Sequence, residues 1–273
     1  MENNNLLKEP FNNILAKSPI ELKDGIPYYG SEREGDQFND DDIVSWTTGG
    51  RFARRWQNKG EPNEYRNAIY IDLCKKAESL NLPVLDIASG PGLGLIPDIY
   101  SLNKNIQALA VDGCPILIEK WNEFIKLNAP NANIQFVSLN VNDMPIHSDS
   151  IDVITSNIGF SSLRYAGADN MLGVREAYRV LKPGGYVFTI ENEFEDKSII
   201  QKVFDLWGKE NWFLNNKMTW RKRFEHAGFI IDQEKFHLRR IEKDDWELGE
   251  MAVKFGLEIV VIFKSFILRK PYN

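Results

Sequence analysis

The chain predicts an α/β fold, a three-layer α-β-α sandwich around a mostly parallel, seven-stranded sheet. Three observations carry this. From residue 83 onward, short and nearly continuous apolar runs alternate with helical patterns, and each run ends in turn-forming residues. The length of 273 residues, with 43% hydrophobic side chains, also suffices for a core on both faces of a sheet. One large domain with elaborations follows.

Residues 1 to about 40 are rich in Asn, Asp, Glu, Gly and Pro with little apolar periodicity, which reads as a loosely ordered arm or a wrap over the domain. The chain therefore divides into an N-terminal arm and lid, 1–62, and a main domain, 63–273. Tyr65, Ile69, Leu73, Ala77 and Leu80 recur at three- and four-residue spacing and predict a helix from Asn63 to Leu80. The strand runs follow at 83–88, 106–112, 133–139, 151–157, 185–192, 228–236 and 257–268. Between the fourth and fifth stands "RVLKPGGYVF", where Pro183, Gly184 and Gly185 are expected to stop a helix and turn the chain into a strand. No clear crossover joins the last two runs, which predicts an antiparallel edge strand.

Composition excludes several function classes. With 33 basic against 39 acidic residues, the net charge of -6 opposes broad binding to nucleic acid or to an anionic membrane surface. The clusters "RFARRW" (51–56) and "WRKRF" (220–224) read as solvated helix faces. Two cysteines and three histidines, without ligand spacing, make neither a disulfide framework nor a metal site, so a reducing, cytoplasmic setting is expected. "MENNNLLKEPFNN" lacks the pattern of a signal peptide, and "LEIVVIF" (257–263) is too short to span a bilayer. The expected partner is a small molecule, with neither nucleic acid nor membrane involved, and the expected state is monomer or homodimer.

In an open parallel sheet, ligands bind beyond the carboxyl ends of the strands, so the residues after each run are the ones to inspect. After the first come Gly90, Gly92 and Gly94, in "VLDIASGPGLGL" (84–95). Glycine permits positive φ and lets a ligand approach the main chain. A dinucleotide fingerprint G-x-G-x-x-G fails here, because Leu95 occupies the last position. The Asp86 carboxylate would repel a pyrophosphate and suits a ligand bearing an amine or cation. Asp112 ends the second run at the spacing of a ribose-binding carboxylate, although such an Asp also serves as a helix N-cap. Asp143, beyond the third run, is placed to accept from an exocyclic amine, or simply to form a turn.

Taken in order, "VLDIASGPGLG", "ALAVDGC", "VNDMPIHSDSIDVITSN" and "EAYRVLKPGGYVFTIEN" resemble the class I, Rossmann-like S-adenosylmethionine-dependent methyltransferases, in particular the small-molecule enzymes of the ubiquinone/menaquinone type. The resemblance covers roughly Asn63 to Leu268. It implies that Asp86, Ala88 and the Gly90–Gly92 backbone hold the methionine part of S-adenosylmethionine, and that Asp112 with Gly113 holds the ribose. Asn142, Asp143 and Met144 would frame the adenine, and Ser156 and Asn157 would lie beside the methyl group. Cys114 stands where the family often carries a bulkier stacking residue, which leaves adenine packing to Ile116 or Met144.

Methyl transfer from a sulfonium needs alignment and exclusion of water more than acid–base help. If a base is used, Glu191 is the best candidate, ahead of Glu193, His147 and His226. Trp46 in the lid, with Phe160, Arg164 and Tyr165 after the fourth run, would wall a substrate pocket for a planar or acidic molecule. Trp56 and the Trp-rich stretch 205–220 are further walls, and each of these rings serves equally well as glue between an elaboration and the core. The acceptor is expected to be an O-, N- or C-nucleophile on a small molecule. A methyltransferase acting on RNA or a protein side chain, or a non-catalytic scaffold of this fold, are the alternatives.

Overall fold

The computed structural model describes residues 6–30, 56, 69–163, 170–209, 218–241 and 247–272. Its strands are β1 (Glu21–Lys23), β2 (Ile26–Tyr28), β3 (Val84–Ile87), β4 (Gln107–Asp112), β5 (Asn133–Ser138), β6 (Ile151–Asn157), β7 (Leu181–Phe194), β8 (Ile230–Arg240) and β9 (Val260–Arg269). Its helices are α1 (Ile71–Ser79), α2 (Ile96–Leu102), α3 (Pro115–Asn128), α4 (Gly159–Ser162), α5 (Asn170–Val180), α6 (Lys197–Trp207), α7 (Trp220–Ala227) and α8 (Glu247–Lys254).

All nine strands join one sheet in the order β1-β2-β5-β4-β3-β6-β7-β9-β8. Strand order reverses at β3, which pairs in parallel with both β4 and β6, so the crevice between the ends of β3 and β6 is the topological switch point, the place where open sheets of this kind bind ligands. The seven expected strands are present, and the arm adds two more. Residues Glu21–Tyr28 form a hairpin, and Tyr28 pairs with Ser138 of β5. The arm is thus a wrap rather than a loose tail over the residues described. The expected antiparallel strand is β9, but it does not form the edge. It inserts between β7 and β8 and pairs antiparallel with both.

Alternation along the strands separates two cores. Val84, Ala108, Ala110 and Val153 face one layer, with Leu73 and Cys74 of α1, Ile96 of α2 and Trp121 of α3. Leu85, Ile87, Leu109, Val111 and Ile154 face the other, with Val174 and Ala177 of α5 and Phe224 of α7. No α-helix lies between β5 and β6, only the single 3-10 turn Val141–Asp143. On the second face Leu7, Phe11 and Ile14 of the arm join the same core instead.

The Pro-Gly-Gly segment does not act as expected. Helix α5 ends at Val180, before Pro183, and the glycines lie within β7. There the Gly184 N–H donates to Lys270 O (2.9 Å), and Lys270 N–H donates to Gly185 O (3.0 Å). The helix end is satisfied by the Lys270 ammonium, which donates to the Tyr178 and Leu181 carbonyls, both at 2.8 Å.

Candidate functional site

The turn after β3 is held from every side. Ser89 N–H donates to Val111 O at 3.0 Å, and Gly94 N–H to Ser89 O at 2.8 Å. Trp121 Nε1 donates to Gly90 O at 3.1 Å, and the Tyr70 hydroxyl to Gly94 O at 3.1 Å. Three non-glycine residues around it take positive φ: Ala88 (48°), Leu93 (54°) and, after β6, Ile158 (61°). Backbone of this kind costs about 1–2 kcal/mol per residue and persists only where surrounding contacts enforce it. Gly90 (φ 56°) and Gly94 (φ 52°) adopt the same region without that cost.

Asp86 is fully buried, and its Oδ1 accepts from Leu95 N–H (3.2 Å) and from the Thr155 hydroxyl (2.6 Å). A Cβ on Gly94 would overlap its carboxylate. Asp86 therefore does not present itself to a ligand as the sequence reading expected. It bolts the glycine turn to β6, and Gly94 is glycine because it rests on that carboxylate. Leu95, at the position of the missing third glycine, is fully buried in the core.

Asp112, at the end of β4, sits where the sequence places it. Its Oδ2 accepts Gly90 N–H and its Oδ1 accepts Cys114 N–H, both at 2.8 Å. Burial raises its carboxyl pKa above the usual range, and the two N–H donors oppose that rise. A carboxylate has about four lone-pair sites, so both oxygens retain capacity for further donors. A Cβ at neighbouring Gly113 would meet nothing closer than Leu139 O at 3.8 Å.

The loop after β5 divides the expected adenine frame. Asn142 N–H is capped by Asn140 Oδ1 (2.9 Å). Asp143 is exposed and lies 3.7 Å from the Lys17 ammonium. Met144 is 2% exposed and belongs to the second core, so its side chain does not offer a face to a ring, whereas Ile116 is 36% exposed. The loop is gripped by α5. Met144 N–H donates to Glu176 Oε2 (2.8 Å), and Arg179 donates to the carbonyls of Met144 (2.8 Å) and Ile146 (2.7 Å).

At the end of β6, Ser156 Oγ and Asn157 Oδ1 are buried and, like Asn142 Oδ1, have no hydrogen-bond partner among the described residues. Gly159 opens α4 close against this turn, where a Cβ would lie 2.9 Å from Ile87 O. Four donors then converge on Glu191 of β7. Phe160 N–H (3.3 Å) and the Thr189 hydroxyl (2.8 Å) reach Oε1, while Ser161 N–H (2.9 Å) and the Ser161 hydroxyl (2.6 Å) reach Oε2. Burial pushes its carboxyl up to about 7, and these donors hold it from rising further. With both oxygens occupied and no solvent exposure, Glu191 is a clamp on α4 and not the free base the sequence reading favoured.

Phe160 is also corrected. It is fully buried against Phe224 (5.7 Å) and Trp220 (6.4 Å), in the core and not on a substrate wall. Trp56 stacks on Tyr100 at 4.6 Å with Phe124 edge-on, which makes it glue against α2 and α3. Trp46, Arg164 and Tyr165 lie outside the described residues.

Sequence reasoning missed Tyr70, Trp121, Thr155, Glu176 and Arg179. Only the last two carried a local signal, an i, i+3 Glu–Arg pair on a predicted helix. The others act through contacts between distant segments. Leaving a buried oxygen unpaired costs about 1–3 kcal/mol, so the Ser156, Asn157 and Asn142 oxygens, which lie at the strand ends, are candidate polar positions for a bound molecule. Together with Asp112 they fit a ligand with amino-acid and nucleoside parts. Among the described residues no cluster of His, Cys, Asp and Glu could hold a metal, and no helix is long and apolar enough to cross a membrane.

Comparison with known proteins agrees with this geometry. Residues 85–189 match the family described as methyltransferase domain. The ubiquinone/menaquinone biosynthesis C-methyltransferase UbiE of Bartonella quintana (strain Toulouse) is 27% identical over 143 residues, 52% of this chain and 53% of that protein. UbiE of Rhizobium etli (strain ATCC 51251) is 28% identical over 148 residues, 54% and 55% of the two chains. The chain thus spans about half the length of the curated relatives it matches. Among solved structures, the [4+2]-cyclase SpnF superposes with a TM-score of 0.57 at 15% identity, covering 94% of this chain and 100% of its own. The YcgJ protein of Bacillus subtilis gives 0.52 at 16%, covering 74% and 99%. Such identities establish the fold alone. By the motif order, the matched segment and the sheet built around it, the chain carries a methyltransferase-domain match over residues 85–189 and is similar to the class I, Rossmann-like S-adenosylmethionine-dependent methyltransferases.

Proposed function

We propose that this protein transfers a methyl group from S-adenosylmethionine to an O-, N- or C-nucleophile of a small molecule in a reducing, cytoplasmic setting. The observation that carries the reading is the set of polar groups at the switch point. Asp112 is tied to the glycine turn through Gly90, and the buried Ser156 and Asn157 oxygens at the end of β6 have no hydrogen-bond partner among the described residues. S-adenosylmethionine, when bound, supplies a methyl group on a sulfonium sulfur.

The chain's own contribution is to hold and orient. Asp112 accepts ribose hydroxyls, with Gly113 leaving room beside it. Asn142 and Asp143 face the adenine end, and Ser156, Asn157, Ala88 and the Gly90–Gly92 backbone face the methionine end. Asp86 and Glu191 act beneath this layer by fixing the turns that carry those groups. Because Glu191 is fully engaged, the reading relies on alignment of the acceptor and exclusion of water, not on a carboxylate base. The UbiE relatives support a small-molecule acceptor, and the division into a lid, 1–62, and a main domain, 63–273, belongs to the same proposal.

The test is calorimetry with S-adenosylhomocysteine. Binding in the low-micromolar range, lost in Asp112→Ala with the fold retained, is the expected result; tight NAD(H) binding with no response to S-adenosylhomocysteine overturns it. Incubation of the enzyme and S-adenosylmethionine with a metabolite extract, followed by mass spectrometry for a methylated product, then identifies the acceptor. A second reading has one observation behind it. The structural neighbour that covers 94% of this chain is a [4+2]-cyclase, so this fold also serves reactions other than methyl transfer. Ligand binding without any methylated product favours that reading.

A further inference from the structure

We infer that the N-terminal arm, residues 7–28, is a working part of the cofactor site, bracing the loop that frames the adenine. The inference rests on the proposed cofactor, but the arm lies wholly outside the matched domain, residues 85–189. Its contacts converge on one loop. Leu15 bridges Ile146, Ala16 N–H donates to Pro145 O (2.9 Å), and His147 N–H donates back to Ile14 O (2.8 Å). Lys17 stands 3.7 Å from Asp143. Beneath these bonds Leu7, Phe11 and Ile14 are at most 6% exposed and share one core with Val141, Met144 and Ile146.

Two further ties fix the arm to β5, the strand that delivers this loop. Gln135 Oε1 accepts Lys8 N–H (2.6 Å) and its Nε2 donates to Lys8 O (3.1 Å), while Tyr29 N–H donates to Ser138 O (2.9 Å). On the opposite side Glu176 and Arg179 of α5 grip the backbone of Met144 and Ile146. The loop from Asn140 to His147 contains no regular element beyond the single turn Val141–Asp143. A segment with so little structure of its own takes its conformation from its neighbours, and here one neighbour is α5 and the other is the arm. When the arm detaches, the loop loses one wall, and a ligand that needs it must pay for ordering it.

The experiment compares wild type with Phe11→Ala, which removes the arm's buried ring, and with Gln135→Ala, which removes the two surface ties to Lys8 without opening the core. Leu127→Ser, at an α3 position 82% exposed and outside the arm, is the control. Three quantities are read: the S-adenosylhomocysteine dissociation constant, the melting temperature, and hydrogen exchange at the Ala16 and His147 amides. Expected is loss of protection at both amides and about tenfold weaker binding in Phe11→Ala. A smaller loss in Gln135→Ala comes at unchanged melting temperature, and Phe11→Leu restores both readouts. Loss of amide protection with binding within twofold of wild type overturns the inference. If Phe11→Ala does not fold, Gln135→Ala decides by the same criterion. A wild-type protein that fails to bind S-adenosylhomocysteine overturns the functional reading itself, and that outcome is visible before any variant is made.

Discussion

Glu191→Gln tests whether the buried clamp on α4 carries a titration that the whole fold feels. In the native protein burial raises this carboxyl from an ordinary 4.5 to about 7. A raised native pKa means that the folded state binds the proton more tightly than the unfolded chain. Its contribution is therefore fully present below pH 4.5 and is lost as pH rises through about 7. At ~1.4 kcal/mol per pH unit, the loss across that window is about 3 kcal/mol, and the group is fully buried, so solvent screening does not reduce it. In a protein of this size that is roughly 6–12 °C in melting temperature.

Glutamine is neutral throughout, so the stability difference between wild type and Glu191→Gln should fall by about 3 kcal/mol in wild type's disfavour from pH 4.5 to pH 8. Other titrating groups, Asp112 included, are common to both proteins and cancel in the difference. Urea unfolding of both proteins at half-unit pH steps measures it. Parallel stability curves would refute the assignment and would mean that the four donors from Phe160, Ser161 and Thr189 keep the carboxylate ionised at all these pH values.

Two further perturbations probe the scaffold under the site. Gly94→Ala puts a Cβ onto the Asp86 carboxylate at φ 52°, while Gly90→Ala, at φ 56°, meets nothing within 4 Å. The first should cost more than about 3 kcal/mol and abolish ligand binding, and the second about 1–2 kcal/mol, as read by urea midpoints; equal costs would show that Asp86 does not support the turn. Arg179→Ala removes the donors to the Met144 and Ile146 carbonyls, with an expected loss of roughly 2 kcal/mol and faster hydrogen exchange in residues 141–147; unchanged exchange there would assign the loop's order to other contacts.

The sequence by itself determined the parallel core from β3 to β7, because strands buried on both faces must be apolar throughout and must end at turn residues. It likewise placed Asp112, the glycine turn and Ser156–Asn157, since strand ends face the ligand side whatever packs around them. Which of those side chains are already engaged by the protein was decided only by tertiary structure. Asp86 and Glu191 carry the charge that suggests chemistry, yet both are buried: Leu95 N–H and the Thr155 hydroxyl engage Asp86 Oδ1, while Thr189 of the same strand and Phe160 and Ser161 of α4 occupy both Glu191 oxygens. Phe160 and Met144 were legible as large apolar residues near the site, but only packing placed them in the core. The arm shows the same limit. Leu7, Phe11 and Ile14 stand at helical spacing yet form no helix, and they acquire their role from the sheet face left bare where no α-helix joins β5 to β6. Alternation and turn chemistry are local and survive in one dimension, whereas a hydrogen-bond partner 30 or 100 residues away exists only once the chain has closed on itself.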